Sequence, residues 1–237
     1  MHAPSTLLLA SCLLILAGPA SAADYPEAKL SNGKLEVKLL LPDAQTGYYR
    51  GTRFDWSGAI SSLQFQGHEF FGKWFDRYDP KIHDAIMGPV EEFLTDGKAL
   101  GYDEAKPGEN FVKIGVGAIR KPEERGFQQF KTYEIADNGK WSVAVTTGSA
   151  TYTHELKDTN GYAYLYRKTL RLVPGKPEML LEHSLLNTGR KTISSSVYEH
   201  NFYMLDNQPA GPDYSVLFTF NVQPRADLRG MAEVRGK

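Results

Sequence analysis

The sequence predicts an all-β protein, an antiparallel β-sandwich with few or no helices. Three observations carry that expectation. Apolar residues recur with a period of two in short runs, as on a strand with one buried face. The runs are separated by Gly, Pro, Asn or Asp, supplied by 22 glycines and 13 prolines. Aromatic residues reach 12%, with 13 Tyr and 12 Phe in 237 residues, a strand-favouring composition.

In chain order, the first element is a leader. Leu7 to Ala17 is an uncharged, Leu-rich run of eleven residues, followed by Gly18-Pro19 and Ala20-Ser21-Ala22. This is the pattern of a signal peptide over residues 1–22 with cleavage before Ala23, and the run is too short for a bilayer, which takes about 20 apolar residues. Export, periplasmic or secreted, is therefore expected. Cys12 is the single cysteine, so a mature chain has no thiol nucleophile, cysteine metal site or disulfide. Such a domain relies on core burial for its stability.

Residues 23–237 read as one domain. Short strands are predicted at Lys34 to Leu41, Ile60 to Phe65, Phe111 to Gly117, Gln129 to Ile135 and Trp141 to Thr147. Longer ones follow at Gly161 to Val173, Glu178 to Asn187, Ile193 to Leu205 and Tyr214 to Val222. Asp158-Thr159-Asn160-Gly161 and Pro174-Gly175-Lys176-Pro177 are predicted turns between them. Asp84 to Leu100 alone hints at helix, interrupted by Gly88-Pro89.

Charge narrows the partners. Lys and Arg number 27 against 28 Asp and Glu. That balance argues against a nucleic-acid or anionic-membrane binder, which would favour a basic surface. No H-E-x-x-H, G-x-S-x-G, Walker or dinucleotide pattern occurs, so neither a metal nor a cofactor is expected.

Alternation assigns faces. Tyr162, Tyr164 and Tyr166 share one side of their strand, either as a sugar-lining ladder or, preferred, as cross-strand packing. Tyr198, His200 and Phe202 share a face, with Glu199 and Asn201 on the other. Glu199 and His200 are therefore not a pair. His200, flanked by two aromatics, suits a general acid near neutral pH or a hydrogen-bonded structural role. His183 falls in an apolar-facing set and reads as a core histidine, while His68 and His154 stand near predicted turns without partners in sequence. His83, in Lys81-Ile82-His83-Asp84, lacks metal-ligand spacing. Arg53 and Asp55, if extended, point the same way, towards each other or towards sugar hydroxyls. Glu91 and Glu92 lie in an acidic stretch expected as a loop, where paired carboxylates would serve glycosidic chemistry if their spacing allowed.

Tyr166-Arg167-Lys168-Thr169-Leu170-Arg171-Leu172, Leu185-Leu186-Asn187-Thr188-Gly189 and Tyr198-Glu199-His200-Asn201-Phe202-Tyr203-Met204-Leu205 together resemble the central strands of the galactose mutarotase (aldose 1-epimerase) superfamily. Arg53 to Leu63 is similar to its early strand pair. The resemblance implies a β-supersandwich with a concave sugar-binding face. It makes His200 the general acid that protonates the ring oxygen, and it implies anomer interconversion without a cofactor. Arg53, Asp55, Glu91, Glu92, Tyr198 and Phe202 are the expected substrate-binding residues. The ligand is a mono-, oligo- or polysaccharide.

The chain departs from the family pattern in three places. Glu199 stands where the family has Asn, no Asn-x-x-His-Gly-Gly segment occurs between residues 80 and 110, and the family's distant glutamate base has no counterpart, Glu233 being the only glutamate after Glu199. A fragment lacking further strands is one expectation from that last departure. A non-catalytic carbohydrate-binding domain and a polysaccharide lyase or hydrolase are the alternatives.

Overall fold

A computed structural model describes residues 25–223, 228, 230 and 232–234. The expected leader and Cys12 lie outside the described residues. The described chain is all-β: thirteen strands and no helix. They are β1 (Glu27–Ser31), β2 (Leu35–Leu40), β3 (Ala59–Phe65), β4 (His68–Glu69), β5 (Gly88–Leu94), β6 (Asn110–Lys113), β7 (Gly117–Arg120), β8 (Glu134–Asp137), β9 (Lys140–Val145), β10 (Ser149–Thr159), β11 (Tyr162–Leu172), β12 (Met179–Asn187) and β13 (Ser196–Phe202).

They form four antiparallel sheets, in the orders β1-β2-β3-β4, β12-β11-β10-β9, β13-β5 and β6-β7-β8. The long strands β10 and β11 organise the molecule, because their alternating inner residues meet three partners in succession. Ala150, Tyr152, Leu170 and Leu172 pack on Leu30, Val37, Leu39, Ile60 and Leu63 of β1–β3. Leu156, Tyr162, Tyr164 and Tyr166 pack on Val112, Ile114 and Ala118 of the β6–β7 hairpin. Between these two contacts Tyr166 and Lys168 meet β5 and the loop before β3. The tyrosine ladder is thus core: Tyr162, Tyr164 and Tyr166 are all buried. A third core, containing Phe54, Trp56, Val90, Phe111, Ile119 and Phe202, ties β5 and β13 to the β6–β7 hairpin.

Several elements differ from the sequence expectation. Residues 84–100 hold strand β5 rather than a helix. Gly88 opens it at φ +90°, a conformation that suits glycine, and Glu91 and Glu92 are buried strand residues rather than a solvated acidic loop. Phe111 to Gly117 is two strands joined by a turn, because Gly115 at φ +79° reverses the chain. In Gln129 to Ile135 the strand begins only at Glu134, since Phe127 and Tyr133 stack on each other across a loop. Residues 214–222 form no strand. β1 and β10 fall outside the strands that the sequence predicts; Ser149-Ala-Thr-Tyr-Thr-His-Glu is polar in composition, but its alternate residues are buried.

His154 is a core residue of β10, contrary to its placement near a turn. It stacks on Trp141 at 4.2 Å, and its ring nitrogens contact the Asn138 carbonyl at 2.8 Å and the Tyr164 hydroxyl at 3.0 Å. Burial lowers its pKa to about 4. The unfolded chain takes up this proton near pH 6.5, whereas the folded chain resists until about 4. Stability from His154 is therefore present above pH 6.5 and lost as pH falls through that window. The stability advantage of wild type over His154→Asn, measured by urea unfolding, is expected to shrink by about 3 kcal/mol between pH 7 and pH 4. A pH-independent difference would show that the ring titrates as it does in water.

Candidate functional site

Strands β5 and β13 form a two-stranded ribbon whose register sets Tyr198 opposite Glu92, Glu199 opposite Glu91, His200 opposite Val90 and Phe202 opposite Gly88. Alternation then gives the ribbon two chemically different faces. One carries Glu92, Tyr198, His200 and Phe202, and the other carries Glu91 and Glu199.

On the first face, Glu92 is fully buried and four donors hold it. Its Oε1 accepts from Lys113 Nζ at 3.0 Å, and its Oε2 accepts from the Tyr198 hydroxyl at 2.6 Å, Gln129 Nε2 at 2.8 Å and Arg53 Nε at 3.1 Å. Burial alone would raise its pKa. The Lys113 charge, with hydrogen bonds from Tyr198, Gln129 and Lys113, outweighs burial and keeps the carboxyl below its ordinary value. Glu92 is thus an anchored anion rather than an available acid.

The anchor positions Arg53. Its guanidinium lies 4.4 Å from the centre of the Phe54 ring and 4.7 Å from that of Phe130, with Nη2 3.3 Å from the Tyr198 hydroxyl and Nη1 3.5 Å from His83 Nδ1. Phe54 meets His200 edge-on at 5.9 Å, and His200 stacks on Phe202 at 3.9 Å. Phe202 in turn stacks on Trp74 at 4.9 Å and 7°. His83 packs against Phe130 at 5.0 Å and stands 3.6 Å from an Asp84 carboxylate oxygen. Burial, and next the Arg53 charge, lower the pKa of His200, while Asp84 and Glu92 push it back up. Neutral imidazole is therefore its main form at neutral pH.

The second face is a buried ionic cluster. Lys168, fully buried, donates to Glu91 Oε2 at 2.6 Å and to the Ser57 carbonyl at 3.3 Å, and His183 Nε2 lies 2.7 Å from Glu91 Oε1. Asp55 accepts from the Ser57 hydroxyl at 2.5 Å, the Ser57 amide at 2.9 Å and the Tyr166 hydroxyl at 2.9 Å. Burial raises Asp55 to about 6, with Lys168 opposing and Glu91 adding to the rise. A side chain at Gly115 would collide with the Asp55 carboxylate, so that position has to be glycine for the loop to close over the cluster.

The structure brings His200, Tyr198, Phe202, Arg53 and Glu92 together. It does not bring Asp55 or Glu91 to them. The chain around residues 53–58 is bent rather than extended, so Arg53 turns to Glu92 while Asp55 turns to Ser57 and Tyr166. Glu91 and Glu92 project to opposite faces, each committed to its own lysine, which removes them as a carboxylate pair for glycosidic chemistry. His183 is hydrogen-bonded but one-third exposed (33% of its side chain), at the open edge of the second cluster and not in the core. Sequence reasoning missed Trp74, Asp84, Lys113, Gln129 and Phe130, and gave His83 no role. Trp74 and Asp84 lie in loops that no periodicity marks, while Lys113, Gln129 and Phe130 lie in segments whose alternation predicts strand but not what the side chains meet.

Comparison with protein-family models, with curated proteins and with solved structures finds no match to this chain.

Proposed function

We propose that the protein is an exported saccharide-active isomerase of the aldose 1-epimerase kind, holding a sugar over the first face of the β5–β13 ribbon. The observation that carries this reading is the convergence of two histidines on one platform. His200 and His83 approach Phe54 and Arg53 from different elements, with the Asp84 charge reaching His200. Aromatic faces at Trp74, Phe130 and Tyr198 suit the C–H faces of a pyranose, and the Arg53 and Gln129 donors suit its hydroxyls.

Anomer exchange takes a proton from the anomeric hydroxyl and delivers one to the ring oxygen. Closure on the other face reverses both transfers, so the two groups return to their starting states and no cofactor is consumed. Because His200 is mainly neutral, it suits the accepting half of ring opening, which leaves His83, 3.6 Å from an Asp84 carboxylate oxygen, as the partner group for the other transfer. The resemblance in sequence implies the reverse role for His200. In the closing direction the two roles exchange, so the histidine remains the proton-transfer group in either assignment.

The test is exchange spectroscopy by NMR on glucose, galactose, xylose and mannose, each starting from mixed anomers. Acceleration of α–β exchange above the buffer rate for at least one sugar is expected. If none is accelerated but a sugar binds with chemical shifts at His200, the protein is a carbohydrate-binding domain instead.

A further inference from the structure

The row of aromatic rings beside His200 continues well beyond a single sugar site. From Phe202 it passes to Trp74 at 4.9 Å, then to Phe75 at 5.6 Å, Tyr78 at 6.3 Å and Tyr48 at 4.5 Å. Exposure rises from the first ring of this row to the second. Phe202, next to His200, is 8% exposed, whereas Trp74 is 36% exposed. Phe75, Tyr78 and Tyr48 are each partly exposed.

The polar tips of Trp74 and Tyr78 are already engaged. Trp74 Nε1 donates to the Ile86 carbonyl at 3.0 Å, and the Tyr78 hydroxyl donates to the Tyr48 carbonyl at 2.6 Å. The rings are thus fixed in place before any ligand arrives, so little side-chain freedom is lost on binding. Past His200 the contacts run through Phe54 and Arg53 to one further ring, Phe130, which packs beside His83. The charges at the centre balance, Arg53 and Lys113 against Glu92 and Asp84, and so offer no net attraction for an acidic ligand.

We infer that the substrate is the reducing end of a neutral oligosaccharide. Its terminal unit lies at His200, His83 and Arg53 under Phe130, and the preceding units lie along Trp74, Phe75 and Tyr78. This rests on the proposed saccharide reading and adds a chain-length preference to it. A one-sided row fits that preference, since only a terminal unit has the free anomeric hydroxyl that proton transfer requires.

The experiment compares glucose, galactose, xylose and mannose with their β-1,4-linked tetrasaccharides, by NMR anomer exchange at the reducing end and by titration calorimetry. For at least one series, kcat/KM for the tetrasaccharide is expected to exceed that for the monosaccharide about 10-fold or more, through KM. Trp74→Ala and Tyr78→Ala should each remove most of that gain, and Trp74→Phe should keep most of it. Should Trp74→Ala fail to fold, Tyr78→Ala and Trp74→Phe decide the matter. Equal handling of mono- and tetrasaccharide, or tetrasaccharide values unaffected by these variants, overturns the inference while the sugar site stands. Failure of every saccharide to bind or exchange overturns both. A concentration-dependent dimer that Trp74→Ala abolishes assigns the row to a second copy of the chain and also overturns it.

Discussion

His200→Asn is expected to lower anomer exchange by at least about 10²-fold with the fold intact, the usual scale for removing a general acid or base. Asparagine keeps the approximate size and a hydrogen-bonding edge, but it cannot carry a proton between substrate atoms. The surroundings make the substitution mild for stability, because His200 is only partly buried and its contacts are ring stacking on Phe202 and the Phe54 edge. Loss of rate without loss of saccharide affinity separates proton transfer from binding.

The pH profile supplies a second, independent reading. Burial and Arg53 lower the His200 pKa, so kcat/KM is expected to rise with pH along an acidic limb centred below about 6.5, the ordinary histidine value. The limb should be absent in His200→Asn. A rate that falls with pH over that range would return His200 to the proton-donating role. An unchanged rate in His200→Asn would remove the residue from the chemistry altogether.

Lys168→Met is expected to destabilise the protein by about 3–5 kcal/mol in urea unfolding, because it leaves buried carboxylates without their cation. Lys168 is the group that Glu91 Oε2 contacts at 2.6 Å, and its charge also opposes the raised pKa of Asp55. Glu91 keeps only His183, a partner that is charged only when protonated. The loss should lessen in acid, where Asp55 and Glu91 can take up protons in the variant. The double variant Lys168→Met/Glu91→Gln should recover much of the stability, since the unmatched charge is removed with its partner. A loss below about 1 kcal/mol would mean that water reaches the cluster and screens it.

Both expectations depend on a division that is partly legible in sequence. Alternation along residues 196–202 places Tyr198, His200 and Phe202 on one face and Glu199 on the other, and β13 bears that out. The same rule fails for Arg53 and Asp55, because it assumes extended backbone where the chain bends to follow β5 and accept the Gly115 loop. For His183 alternation placed the side chain among apolar residues without revealing that β12 is the end strand of its sheet, where such a side chain meets solvent. His154 shows the converse error, since a polar-looking segment proved to be the middle of the longest hairpin.

Sequence by itself determined the all-β class, most of the strands from β9 onwards, and the local faces of single strands. These follow from a period of two and from turn residues, and both are properties of neighbours in the chain. Tertiary structure alone decided which charges are buried and which residues meet. Glu92 faces Tyr198 because β5 pairs with β13 across about a hundred residues, and Arg53, Lys113 and Gln129 reach the same carboxylate from three further segments. A buried charge is tolerated only where distant partners satisfy it, and no local pattern encodes the register that supplies them.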